Sequence, residues 1–321
     1  MRRAMADALV GDDVYGEDPT INLLQQRVAD LCGMEAGLFV ASGTMGNQVA
    51  LIVHTRPGDE VILEVGCHIR QYEGGGLSAN AGAQPWPIAG ARGQLDPVEV
   101  EAAIRADDPH HPRTSLICVE DTSNRGGGSV YPLQTLGGLA AVGQKHGIPL
   151  HLDGARAWNA VVASGVPLRR RLEGFASVSL CLSKGLGAPV GSVLCGSQAF
   201  IAQALRARKR LGGGMRQAGV LAAAGLYALD HHVERLAEDH ARARRLAEGL
   251  SELRGVLVET QPETNLLYVS VPDGPGWAAR LRAEGVLVNA THARGLRLVT
   301  HLDVDDAGVE AALLAFARIA A

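Results

Sequence analysis

Ile148-Pro149-Leu150-His151-Leu152-Asp153-Gly154-Ala155-Arg156 and Cys181-Leu182-Ser183-Lys184-Gly185-Leu186-Gly187 decide the fold. In each, a short apolar run ends on a charged residue and turns through glycine. Such a run reads as a buried strand of a parallel sheet, and open α/β sheets bind ligands at the carboxyl ends of their strands. Working outward, Gly37–Val40, Asp59–Leu63, Ser115–Glu120, Ser177–Leu182 and Gly191–Cys195 have the same apolar character. Helical patterns lie between them, at Gly46–His54 and at Leu133–His146, the latter stopped by Gly147. The alternation predicts an α/β domain with a mostly parallel sheet flanked by helices.

Beyond Met215 the chain is rich in Ala, Leu, Glu and Arg with helical periodicity as far as residue 253. Strand-like runs at 255–258, 265–269 and 296–299 then alternate with helix-like 276–284 and 306–320. We expect a large domain over residues 1–233 and a smaller α+β domain over 234–321.

Composition narrows the function classes. The chain has 321 residues, 47% apolar and 20% charged, with a net charge of −4, which excludes disordered, fibrous and coiled-coil classes. Charges are interspersed, with no basic footprint for nucleic acid; Arg169-Arg170-Arg171 reads as a solvated helix end. No apolar run is long enough to span a membrane, and Met1-Arg2-Arg3-Ala4-Met5 has no apolar core of a secretory signal. The expectation is a cytoplasmic protein. Five scattered cysteines without a CxxC pair, and histidines without ligand spacing, argue against a disulfide framework and a metal site.

Only three of the 30 basic residues are lysines. Lys145 ends a helix, where the dipole favours a cation, and Lys209 belongs to the basic helix face Arg206–Arg210. Lys184, between a buried strand and a glycine loop, has no such structural explanation. Asp153 suits either the cap of a following helix or a ligand contact. An aspartate and a lysine at neighbouring strand ends suit pyridoxal 5'-phosphate: the lysine amine bonds to the cofactor aldehyde, and the aspartate pairs with the protonated pyridine nitrogen. Ser42-Gly43-Thr44-Met45-Gly46-Asn47, between a strand and a helix, supplies amides and hydroxyls for the phosphate. His68, beyond the strand at 59–63, is the candidate ring over the cofactor face.

These segments resemble the low-specificity L-threonine aldolases, of the aspartate-aminotransferase-like fold type I class of pyridoxal phosphate enzymes. The resemblance covers nearly the whole chain. It is carried by Val10–Thr20, Ser42–Asn47, His151–Arg156, Cys181–Ser192, Gly212–Gln217 and Arg297–His301. It implies cleavage of the Cα–Cβ bond of L-threonine, L-allo-threonine and related β-hydroxy-α-amino acids to glycine and an aldehyde. It further implies that Lys184 carries the cofactor, Asp153 holds its ring nitrogen, and Gly43 and Thr44 bind its phosphate together with Arg216 of a neighbouring subunit. His68 stacks on the ring, and Arg156 and Arg297 bind the substrate carboxylate. His110 lies near the substrate hydroxyl, and Tyr15 lines the site across the interface of a homodimer or homotetramer. His68 and His110 are both candidate bases. Two features depart from the family pattern. The Ser-Asp-Thr-Val-Thr stretch that usually precedes the first residues, and supplies a carboxylate contact, is not in this sequence, so either translation starts upstream or that contact is missing. Ser123 stands where the family usually has histidine. Alternatives on the same fold are β-elimination, glycine transfer between aldehydes, or cofactor binding with little turnover.

Overall fold

The apolar runs pair into two sheets in the computed structural model, which describes residues 1–321. The first contains β1 (Ala36–Val40), β2 (Glu60–Glu64), β3 (Gln84–Ile88), β4 (Thr114–Glu120), β5 (Leu150–Gly154), β6 (Ser177–Cys181) and β7 (Ser192–Gly196). Their spatial order is β1-β7-β6-β5-β4-β2-β3. From β3 to β6 every neighbouring pair is parallel, whereas β7 runs antiparallel to both β6 and β1. Every residue of β2, β4, β5, β6 and β7 is buried, as expected for a sheet covered on both faces.

β3 carries no strand signal in the sequence. Pro85 and Pro87 lack ladder donors, and prolines are tolerated because β3 is the edge strand, paired only with β2. The second sheet contains β8 (Leu257–Val258), β9 (Leu266–Ser270), β10 (Asn289–His292) and β11 (Gly295–Val299), in the order β10-β11-β9-β8 and antiparallel throughout. β10, short and largely exposed, is also absent from the sequence reading. A separate core packs this sheet against helices Leu236–Ser251, Gly274–Ala283 and Asp306–Ala320, through Leu246, Leu250, Trp277, Leu281 and Phe316. Leu236, at the start of the first of these helices, belongs instead to the core of the large sheet. No helix is long and apolar enough to cross a membrane.

Local chemistry sets the element ends nearest the strand tips. The helix Gly43–His54 starts at Ser42, whose Oγ accepts from the Met45 amide at 3.1 Å. A glycine at its first position is required by the packing, since a Cβ on Gly43 would lie 2.5 Å from Cys181 Sγ at the end of β6. Helix Leu133–His146 stops at Gly147, which takes the left-handed conformation (φ 66°).

β5 and β6 approach equally closely beside Asp153. A Cβ on Gly154 would sit 2.9 Å from the Ser179 carbonyl oxygen and 2.8 Å from Leu180 Cδ2. Overpacking of this kind costs about 1–3 kcal/mol, against about 0.5–1 kcal/mol recovered from glycine's lost freedom in a strand. Gly154→Ala is therefore expected to lower the urea midpoint by the equivalent of about 1–2 kcal/mol at unchanged slope. An unchanged midpoint would show that the two strands part without cost.

Candidate active site

Because β4 and β5 are parallel and in register, Glu120 and Asp153 arrive side by side at the same edge of the sheet. β6 ends next to them, and its hairpin to β7 carries Lys184; Leu182 and Gly191 close that hairpin by a backbone hydrogen bond of 3.0 Å. The start of helix Gly43–His54 lies over this edge, with the amides of Gly43 and Thr44 free of any protein acceptor.

Asp153 is buried and fully engaged. Oδ1 accepts from the Ala155 amide at 3.1 Å, and Oδ2 from Asn47 Nδ2 at 2.9 Å. The same Asn47 nitrogen donates to Glu73 Oε1 at 2.8 Å, and Gln48 Nε2 donates to Glu73 Oε2 at 2.6 Å. His68 Nδ1 lies 3.0 Å from Glu73 Oε1, and the His68 amide donates to Glu120 Oε2 at 2.5 Å. Ligand atoms of His68, Glu73 and Asp153 thus converge within 4.8 Å of one another.

Burial, followed by the charge of Glu73, pushes the Asp153 carboxyl above its usual range. Burial, with Asp153 alongside, lifts Glu120 to about 7. The hydrogen bond that His68 donates to Glu73 raises His68 above the ordinary histidine value, against the opposing effect of burial.

Cations face this acidic floor across an open cleft of about 550 Å³. Lys184, Arg125, Arg156 and Arg297 line it, and none of the four forms an ion pair. Burial and the neighbouring Arg297 lower the pKa of Arg156. The far wall comes from the small sheet, through Tyr268 of β9, Asn289, Ala290 and Thr291 of β10, and Arg297 of β11. Three buried polar atoms at the cleft, Asn124 Oδ1, Thr291 Oγ1 and Arg297 Nε, have no hydrogen-bond partner. Unpaired cations and orphaned polar atoms together describe a receptor for a polar, anionic ligand.

The structure gathers Lys184, Asp153, His68, Arg156 and Arg297 at this cleft, beside the helix start at Gly43 and Thr44. It does not bring His110 there. His110 is exposed in the turn before β4, bonded to Asp108 at 2.8 Å. The seven residues of β4 separate it from the strand end that carries Glu120, about 20 Å at strand rise. The reading of His110 as a neighbour of the substrate hydroxyl is therefore corrected for its own chain's cleft. Tyr15 and Arg216 also lie outside that cleft, exposed and close together: Arg216 pairs with Asp12 at 2.7 Å, and its carbonyl accepts from the Asp13 amide. Ser123 is buried beneath the cleft loop, where its Oγ accepts from the Gly126 amide at 3.1 Å and crowds Gly93; Asn124 and Arg125 face the cleft instead.

Sequence reasoning missed Asn47, Glu73 and Glu120. Glu120 carried the clearest signal, an acid ending an apolar strand as Asp153 does. Glu73 had only its position five residues after His68, and Asn47 only its place in the Ser42–Asn47 turn.

The raised value of His68 has a sign that can be measured. The stabilisation from its charged pairing with Glu73 is complete below the ordinary histidine pKa and fades as pH rises through the raised one. By NMR, the His68 ring is expected to titrate above about 6.5, and Glu73→Gln is expected to move the midpoint down. A midpoint unmoved by that substitution would contradict the assigned cause.

A family model described as beta-eliminating lyase matches residues 1–273. A probable low-specificity L-threonine aldolase 2 of Arabidopsis thaliana is 46% identical over 99% of this chain and 93% of its own. A low specificity L-threonine aldolase of Escherichia coli (strain K12) is 46% identical over 95% of this chain and 90% of its own. The crystal structure of the aspartate aminotransferase from Rhizobium meliloti superposes with a TM-score of 0.72 at 17% identity, over 99% of this chain and 86% of that one, and so shares the fold that the family resemblance implied. With its lysine, aspartate and arginine cluster in one cleft and its full-length likeness to these relatives, the chain belongs to the beta-eliminating lyase family, among the low-specificity L-threonine aldolases.

Proposed function

We propose that this protein cleaves the Cα–Cβ bond of L-threonine and related β-hydroxy-α-amino acids to glycine and an aldehyde, using pyridoxal 5'-phosphate. The observation that carries the reading is the set of unpaired cations, Lys184, Arg156 and Arg297, facing the buried carboxylate of Asp153 across one cleft. The cofactor, when bound, supplies an electron sink for the breaking carbon–carbon bond.

The chain's residues fit that group. Lys184 offers the one amine of the cleft for attachment of the aldehyde. The two free amides at the start of helix Gly43–His54 suit the phosphate. Asp153, held by Asn47 and the Ala155 amide, would pair with a protonated ring nitrogen, whose positive charge would favour its ionised form. Arg156 and Arg297 grip the substrate carboxylate, where planar guanidinium gives bidentate contact. With one carboxylate so fixed, the bond to be cleaved is oriented by the protein rather than by chance collision. His68 has Nδ1 engaged by Glu73, which leaves Nε2 to accept the proton of the β-hydroxyl.

A second subunit completes the site. Leu9, Val10, Val14 and Tyr15 expose apolar surface on the N-terminal segment next to Arg216, as an interface between copies requires. Across such an interface Arg216 reaches the phosphate of the neighbouring cleft and Tyr15 lines it. Five buried free thiols suit a reducing compartment, the cytoplasm.

Purified protein with pyridoxal 5'-phosphate is expected to release acetaldehyde and glycine from L-threonine, and Lys184→Ala to abolish release. 2-Oxobutyrate and ammonia as the main products would instead indicate elimination. Lys184→Ala and Arg216→Ala, each of low activity alone, are expected to regain activity when unfolded and refolded together, because a mixed assembly contains one site with both residues intact. Absence of regain in a mixture shown to contain mixed assemblies would place Arg216 outside the shared site.

A further inference from the structure

Asn47 is itself held by a file of polar side chains that the reaction does not use, buried at His151 and Ser177 and half-buried at His54. Its Oδ1 lies 3.1 Å from His151 Nε2. His151 Nδ1 lies 2.8 Å from Ser177 Oγ, and Ser177 Oγ lies 2.8 Å from His54 Nε2. His151 and Ser177 are fully buried, and the His54 ring stacks on Phe200 with centroids 4.7 Å apart. The file runs beneath helix Gly43–His54, across β5 and β6, from the acidic floor of the cleft toward the opposite end of the sheet.

The direction of every hydrogen bond in it is determined. Both hydrogens of Asn47 Nδ2 go to carboxylate oxygens, of Glu73 and Asp153, so Oδ1 must accept and His151 Nε2 must carry a hydrogen. Burial keeps both imidazoles neutral at ordinary pH, His151 lowered to about 3 and His54 to about 4. A neutral ring with its hydrogen on Nε2 has a lone pair on Nδ1, so the Ser177 hydroxyl donates to His151. The Ser177 oxygen then accepts, and His54 Nε2 must donate to it. Reversing one link would set two hydrogens or two lone pairs face to face in a buried site, a costly arrangement.

We propose that His54, Ser177 and His151 are positioning residues: their one-way hydrogen-bond file locks the Asn47 amide with its NH2 toward Asp153, and so keeps Asp153 an oriented acceptor for the cofactor ring nitrogen. Its effect on the cofactor rests on the proposed function, whereas the tautomers do not.

Long-range 1H–15N NMR of the cofactor-free protein tests the file directly. His151 and His54 are both expected as neutral Nε2–H tautomers. An Nδ1–H tautomer at His151 in the wild type would overturn the proposal whatever the variants do. Ser177→Ala is expected to move the His151 nitrogens toward the other tautomer and to weaken pyridoxal 5'-phosphate binding roughly tenfold, the scale typical of lost outer-layer partners; Ser177→Thr, which restores a hydroxyl, is expected to recover both. Wild-type binding with an equally tight, tautomer-unchanged Ser177→Ala would refute the file. Failure of the wild type to bind the cofactor would refute the proposed function and leave the tautomer assignment standing.

Discussion

One amide nitrogen holds two buried carboxylates together. Asn47 Nδ2 donates to both Glu73 and Asp153, and the rest of the site depends on that bridge. Acidic atoms within 4.8 Å of each other repel by roughly 3–4 kcal/mol at an effective dielectric of about 20. Two hydrogen bonds to charged acceptors offset this by about 1.5–3 kcal/mol each. The balance is close, and Asp153 and Glu120 both remain harder to ionise than free carboxylic acids. The acidic floor is thus poised to welcome positive charge, and the unpaired cations above it to welcome negative charge. A zwitterionic amino acid and a cofactor with a cationic ring and an anionic phosphate match both.

The topology explains why these groups meet. Parallel strands bring their carboxyl ends to one edge, which gathers Glu120 and Asp153. The switch to antiparallel pairing at β7 turns the chain back through the loop 182–191, placing Lys184 in a hairpin connection rather than in a helical crossover. The small antiparallel sheet contributes Arg297 from β11, so the cleft is closed by a wall with its own core. Close approaches at Gly43 and Gly154 leave no space for a side chain between the helix, β5 and β6.

Much of this was legible in the sequence because it is written locally. Asp153 and Lys184 each follow a buried apolar run, and the helix start at Gly43 announces itself by Ser42. Strands with continuous apolar runs were readable, whereas β3, with two prolines, and the short exposed β10 were not. Asn47, Glu73 and Glu120 matter through contacts separated by tens of residues, which no local pattern encodes. His110, placed near the site by its motif position, lies in its own chain at the end of β4 opposite Glu120 and the cleft. Ser123, an apparent departure at the site, turns out to pack beneath it.

The central claim is that Asp153 is the anion that receives the cofactor's ring nitrogen. The most direct measurement is the 13C resonance of its carboxyl carbon, followed through pH in the protein with and without pyridoxal 5'-phosphate. Burial and Glu73 hold its titration high in the free protein, and a protonated ring nitrogen beside it must bring the midpoint down. A midpoint that falls on cofactor addition is the result predicted here. Cofactor that binds and leaves the Asp153 titration where it was would contradict the account.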